Sequence, residues 1–583
     1  MDIKEIKNNI AELITVNQQR RNKYYRNLSL YEGTPRIALE NIRNPSVIGY
    51  YSEIDEINED TVPTPNLNVI KSCIDTLHSK IAQSKVRPFF NCVNGSFKDI
   101  QIVKQAQQFF DLYFDIEEVN KKIPDAFKDG CIFECGYIYI DADEKRITRA
   151  LPYQVYERPA EFTYDKVSRT YYERRDYPVE LLPDFLKAKI ENKNVKYVKY
   201  GLYFDTKNKV KCYCLPDYEV YETATYDCDV TPFVRIFYNS PVASLSSCSV
   251  VDILVNIQLQ INALMNKIKD ASQLNAAMTY FIPRGSGIKT GQLNNRVGNI
   301  VEYDVTSSMT GSPVTVATPS FIDPEYLQLL QDLINKAYEL TGVSMLSAQS
   351  KKPVGLDSGI ALATMEDVES ERFETQLNQV IRGYVNVAKV CMKVFPKEEF
   401  ILPESINRMS IKWADIVEES KKMQIQFSSA SSLSKDPSEK LKQLIALAQA
   451  GVIPQSRISQ FMEIPDLQGG YSLSNNAINA VLSVISDCIE NDVFDVPEYI
   501  PLQLLEDEIL NTQLSLRAAN YALNKESIAK LSRLYEICLE KEKEMEADSE
   551  NSMQAMDIGN VINNELMNGQ AEDIATAVQE EGA

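Results

Sequence analysis

Residues 333–377 read LINKAYELTGVSMLSAQSKKPVGLDSGIALATMEDVESERFETQL, two helical stretches joined by a short basic loop. The first helix starts further back, at DPEYLQLLQDL, where Asp323 suits the cap and Pro324 the first turn; Gly342 is its stop. The loop, SAQSKKPVGLDSG over 347–359, places Lys351, Lys352, Pro353 and Gly355 in a chain whose net charge is -21. Asp357 or Ser358 then caps the second helix by accepting a free backbone N–H, and the helical pattern runs to Phe395, just before Pro396. At 1.5 Å per residue such a helix is roughly 55 Å long, more than a small domain is wide. Its first half is acidic, with Glu366, Asp367, Glu369, Glu371 and Glu374, and its second half has one apolar face from Phe373 to Phe395.

The loop invites two enzymatic readings, and both weaken. The dipeptide Gly-Lys occurs nowhere, so no G-x-x-x-x-G-K-[ST] loop exists to cradle nucleotide phosphates. The nearest imitation, RGSGIKTG from Arg284, puts Ile288 between glycine and lysine. In GLDSG (355–359) serine stands fourth, whereas the strained nucleophile elbow needs it third. His78 is the single histidine, at one position of an amphipathic helical stretch, so any Ser-His-Asp relay or His-metal site has to use it. A packing or surface role is the simpler reading. The 11 cysteines are scattered, and the close pairs Cys131/Cys135 and Cys212/Cys214 lack C-x-x-C spacing. Reduced thiols, no metal, no cofactor and no catalytic residues are expected.

The composition, 44% hydrophobic and 25% charged over 583 residues, is that of a globular protein with two to four structural regions. The acidity is uneven: Tyr535–Ala583 holds thirteen Asp and Glu against two Lys. A solvated tail is the plain reading of that segment; docking is the other. No apolar run reaches the eighteen residues needed to span a bilayer, and MDIKEIKNN lacks a signal peptide's hydrophobic segment, so cytosolic synthesis is expected.

Along the chain, helices are expected over the first 130 residues, the first ending at Gly33, the second before Pro88 and the third running from about Phe97. From Cys131 the text alternates, in CGYIYIDAD, YEVYETATY and FVRIFYNSP, and sixteen of the 31 tyrosines fall between Tyr137 and Tyr238. A tyrosine-rich sheet offers a face for stacking bases. The interleaved acidic residues favour an ordinary half-exposed sheet instead. The helix from Ser249 has apolar residues at spacings of three and four, including Leu254, Ile257, Ile261 and Leu264. Val251, Val255 and Leu259 lie outside that stripe, so the helix needs partners on more than one side, and neighbouring subunits would supply them. Short strands and turns occupy Tyr280 to Ile322, RMSIKWADI reads as a β-like piece around the single Trp413, and the rest is helical. The fold class expected is α+β, predominantly helical.

This order of elements resembles the portal protein of tailed double-stranded DNA bacteriophages. The resemblance covers most of the chain and rests on PNLNVIKSCIDTLHSKIAQSKVRPFF, on SSCSVVDILVNIQLQINALMNKIKD and above all on residues 333–377. It implies a ring of twelve subunits around a DNA channel at one capsid vertex. Residues 1–248 would form the wing, 249–271 and 324–342 the two stem helices, and 272–323 a β-rich clip. Residues 343–357 would be the channel loop, 358–434 the long wing helix and return strands, and 435–546 a helical crown; the acidic tail, 547–583, is expected to be flexible from its composition and has no counterpart in that scheme. Lys351, Lys352, Pro353 and Gly355 would then face DNA, and Glu366, Asp367 and Glu369 would line the channel. Leu254, Ile257, Ile261, Leu264, Leu330 and Ile334 would pack between subunits. The implied partners are double-stranded DNA held without sequence preference, the major capsid protein, the large terminase subunit and head-tail adaptor or tail proteins. The implied location is the virion, and the host cytoplasm during assembly. Another virion structural protein, of tail or internal core, is the alternative; ordinary solvated lysines are the alternative for the loop.

Overall fold

A computed structural model describes residues 2–33, 67–82, 87–92, 97–159, 161, 167–190, 195–241, 247–276, 279–281, 315–317, 324–343, 372–395, 413–419, 423–428, 445–447, 449, 468–497 and 499–580. In chain order they form α1 (Ile3–Val16), α2 (Gln18–Glu32), α3 (Val69–Ala82), β1 (Arg87–Cys92), α4 (Phe97–Ile116) and α5 (Val119–Phe133). The strands β2 (Cys135–Asp141), β3 (Arg146–Ala150), β4 (Val155–Glu157), β5 (Arg169–Pro178), β6 (Tyr197–Asp205), β7 (Val210–Leu215), β8 (Val220–Thr225) and β9 (Phe233–Phe237) follow. Then come α6 (Val250–Ala276), β10 (Thr279–Phe281), β11 (Thr315–Ala317), α7 (Pro324–Thr341), α8 (Glu374–Val394), α9 (Trp413–Glu419), β12 (Met423–Ser428), α10 (Gln468–Asn491) and α11 (Leu502–Glu580). The result is helix-dominated α+β with antiparallel sheets. The chain divides into two units, Met1–Phe89 with Phe109–Val417 and Ile425–Ser428, and Phe90–Gln108 with Glu418–Gln424 and Ser429–Ala583.

In the first unit, β4 to β8 form a five-stranded antiparallel meander, and β3, β2 and β9 form a second sheet in that order. The alternation seen in the sequence sends successive side chains to opposite faces. Tyr137, Tyr139 and Phe233 of the smaller sheet meet Tyr172, Tyr200, Leu202 and Phe204 of the larger one in one core. The opposite face of the meander, with Tyr156, Tyr171, Tyr203, Cys212 and Cys214, is covered by Ile6, Ile10 and Leu13 of α1. Behind the smaller sheet lies α5. It comes so close to β2 that a Cβ on Gly136 would stand 1.8 Å from the Ala126 carbonyl oxygen, so only glycine fits there. The expectation of a half-exposed sheet is corrected for the middle of the two sheets, where Tyr137, Tyr139, Tyr156, Tyr171, Tyr172, Tyr200, Tyr203, Tyr226 and Tyr238 are all buried, and it holds at the edge, where Tyr197 and the end of β8 are exposed. The buried rings are not open to bases.

Several boundaries differ from those expected. The opening helix is two, parted at Asn17, which is itself buried and donates from Nδ2 to the carbonyls of Leu13 and Glu157, both at 2.8 Å. The third expected helix is also two, broken at Glu118, where φ is +49. Trp413 opens a helix, α9, rather than lying in a strand, and its indole is buried against Phe109, Phe110 and Phe395. Aromatic cover decided that position where local β-propensity pointed the other way.

In the second unit, Val481, Ile485 and Cys488 of α10 share a core with Leu505, Ile509, Leu516, Leu531, Leu534 and Cys538 of α11. Helix α11 doubles back on itself. Gln513 Nε2 donates to Ser532 Oγ at 3.3 Å and Asn524 Nδ2 to the Leu516 carbonyl at 3.2 Å. In a straight helix the first pair would stand about 28 Å apart. The helical backbone then continues to Glu580, past the point near residue 546 where the sequence suggests a flexible tail; no proline interrupts it after Pro501.

Candidate functional site

Helices α6 and α7 are the elements that the sequence singles out, and both are docked at one end. Ser249 caps α6 reciprocally: its Oγ accepts from the Asp252 N–H at 3.1 Å, while Asp252 Oδ2 accepts from the Ser249 N–H at 3.1 Å and from its hydroxyl at 2.8 Å. Gln258, also on α6, caps a second helix. Its Oε1 accepts from the first free N–H groups of α3, those of Val69 and Ile70, at 3.0 and 3.4 Å. At its other end α7 closes on Gly342, φ +78, with Arg372 donating to the Glu339 carbonyl at 2.7 Å. A Cβ on Gly342 would meet Arg372 Nε at 2.6 Å, so glycine serves both the left-handed turn and the close approach. Near that end Tyr338 Oη lies 3.3 Å from Ser72 Oγ of α3.

Burial therefore runs in opposite directions along the pair. Val250, Val251, Leu254, Gln258 and Ile261 are buried at the start of α6, and Ala337, Tyr338 and Thr341 at the end of α7. The first six residues of α7, 324–329, are all exposed. Between the two helices only β10 and β11 fall among the described residues, paired antiparallel with Tyr280 opposite Val316.

Of the residues expected between subunits, Leu254, Ile261 and Leu264 are already covered within the chain. The elements that touch α6 are α7 above all, then α3, α2 and α5. Ile257, Leu330 and Ile334 are half-buried. The bare apolar side chains are others: Leu259 on α6, and Tyr326, Leu327, Leu329 and Leu340 on α7, each between 44% and 53% exposed. Leu329, Leu333 and Leu340, spaced by four and seven, mark a second stripe beside the docked face of α7. Its signal was present in the sequence as an excess of apolar positions over one stripe. Lys351, Lys352, Pro353, Gly355, Glu366, Asp367 and Glu369 lie outside the described residues.

A buried ionic network that motif reading missed fastens the base of α6. Glu134, 1% exposed, accepts from Arg20 Nε at 2.6 Å, Tyr24 Oη at 2.9 Å and Lys23 Nζ at 3.1 Å. Lys23 also reaches Asp252 Oδ2 at 2.8 Å, and Arg26 reaches Oδ1 at 2.8 Å. Burial works against the charge of Asp252, and the Lys23 ammonium with the Ser249 donors outweighs it, holding the carboxyl below its usual range. Glu134 itself has φ +117, a conformation that costs a non-glycine residue about 1–3 kcal/mol and persists because three donors from α2 fix its side chain.

His78 stands with Nε2 3.4 Å from Asp125 Oδ1, and burial together with the Lys128 ammonium pushes its pKa down, so it is neutral near pH 7. Among the described residues no group of three or more His, Cys, Asp or Glu side chains is arranged to hold a metal ion, and no helix is long and apolar enough to cross a membrane. No protein-family model matches this chain, and no curated protein matches it.

Proposed function

We propose that this chain is the portal subunit of a tailed double-stranded DNA bacteriophage, twelve copies of which close into a ring at one capsid vertex. One observation carries the reading. The α6–α7 pair is embedded where α6 begins and α7 ends, the first six residues of α7 are exposed, and exposed leucines remain on a second stripe of α7 beside its docked face. Exposed apolar residues in a row ask for cover, and rotational symmetry supplies the same cover to every subunit. The element order of the sequence supports the same reading.

In this proposal the chain performs no chemistry. It is a conduit for packaging and ejection, a dock for the large terminase subunit and later for adaptor or tail proteins, and a partner of the major capsid protein. DNA carries one negative charge per about 1.7 Å of axis, so a tight basic sleeve would hold it still. Glu366, Asp367 and Glu369 would repel phosphates and let the duplex slide. A ring of Lys351 and Lys352 would touch the backbone without reading bases. Negative-stain images of the purified protein test the proposal: twelvefold rings with a central hole are expected, and monomers or tubes overturn it.

A further inference from the structure

Arg174, like Arg21 over Tyr25 and Tyr156, lies over tyrosine rings, whereas most arginines around the two sheets meet carboxylates. Arg20, Arg149, Arg169, Arg175 and Arg235 each have a carboxylate oxygen within 3.0 Å, on Glu134, Asp129, Asp205, Glu173 and Glu157. Arg174 has no carboxylate partner among the described residues. Its guanidinium carbon instead lies over the rings of Tyr172 at 4.9 Å and of Tyr139 and Tyr177 at 5.3 Å each. Tyr200 stands opposite it in the β5–β6 ladder, and the ladder shifts register between Arg174 and Tyr177, with Asp176 at φ +51. Ring faces attract the flat faces of a guanidinium and leave its in-plane N–H groups unused. The hydroxyls of Tyr139 and Tyr200 have no hydrogen-bond partner among the described residues. The nearby carboxylates are committed elsewhere: Asp141 accepts from the N–H groups of Asp143 and Glu144, and Asp143 from Lys211 and Tyr213.

We propose that Arg174, with the Tyr139 and Tyr200 hydroxyls, binds a single oxyanion group, a carboxylate or a phosphate, at the β5 irregularity. Arg174 is half-buried, so its donor edge is reachable while the rings around it stay dry. The fork of a guanidinium matches two oxygens of either anion, and the two phenols add donors that a simple packing role would not need.

The test titrates the full chain with inorganic phosphate and, separately, with N-acetylglutamate, following the thermal midpoint at constant ionic strength with chloride as control. At least one anion is expected to raise the wild-type midpoint saturably above chloride. Arg174→Met should lose that response, and Arg174→Lys, which keeps the charge but not the fork, should bind about tenfold more weakly. The double change Tyr139→Phe with Tyr200→Phe keeps the rings and should weaken binding while leaving the unliganded midpoint near wild type. Response to phosphate alone or to the acid alone assigns the source. The proposal is overturned if neither anion exceeds chloride, or if Arg174→Lys and the double phenylalanine variant respond as wild type does.

Discussion

Gly136 and Asp252 bear on the fold through different physics. At Gly136 the limit is steric: any side chain there meets backbone of α5, which cannot rotate aside. Gly136→Ala should cost about 3 kcal/mol or more, seen as loss of soluble protein or a much lower urea midpoint. A midpoint within error of wild type would mean that α5 and β2 are not so closely packed. Asp252 acts through charge. Its folded pKa is lowered, so its contribution is fully present above its ordinary value near about 4 and is lost as pH falls through the lower folded value. Asp252→Asn should therefore lose about 1–3 kcal/mol at pH 7, with the gap to wild type narrowing progressively as pH falls below about 4. A gap that keeps its size below about pH 4 would assign the loss to something other than the carboxylate. Asp129 runs the other way. Burial pushes it up to about 6 against the pull of Arg149, so its share of stability falls as pH rises from about 4 to 6.

Among the elements, α6 and α7 separate folding from assembly. A carboxylate placed at Leu254 or Ile261 is buried in every copy of the chain, at several kcal/mol, so Leu254→Glu should disrupt the first unit before any ring can form. Leu327→Glu combined with Leu329→Glu changes only exposed positions. That variant should keep the wild-type circular dichroism and thermal midpoint yet yield monomers in native mass spectrometry. Rings from the double variant would remove α7 from the subunit interface. The same helices show what periodicity can and cannot say. It located a stripe of apolar residues on α6, but a stripe is equally content against the chain's own α3 or against a neighbour. The tie between Gln258 and the start of α3, 188 or more residues apart in sequence, is what gave that stripe to the chain itself.

For the whole molecule, the proposed ring places about two dozen lysine charges, from Lys351 and Lys352, around passing DNA. Replacing both with Ala should leave ring assembly intact and alter genome retention in a salt-dependent way, because exposed charges are screened beyond about 10 Å at 0.1 M salt. Packaged genome length and leakage from heads built with the variant are the readouts; full, stable genomes would make these lysines ordinary surface residues. Purified protein should turn over no ATP and cut no DNA, in keeping with a chain that has no Gly-Lys dipeptide and one histidine. ATP turnover abolished by a point change in this chain would end the conduit-only reading.

What the sequence determined by itself was local. Gly33 and Gly342 stop helices in the left-handed conformation that glycine tolerates, and the alternation in CGYIYID and FVRIF makes strands, because a cap or a pleat depends on residues within a few positions of one another. Tertiary structure alone decided what covers each apolar face. The tyrosines look like a half-exposed sheet until α1 and a second sheet close over them. Trp413 sits in β-like text until Phe109, Phe110 and Phe395 enclose it in a helix. Arg20 and Lys23 lie far from Glu134 and from Asp252 in the sequence, and they meet only where α2, the junction of α5 with β2, and α6 converge. Burial is a property of pairs of segments far apart in the chain, and no window of sequence contains both members.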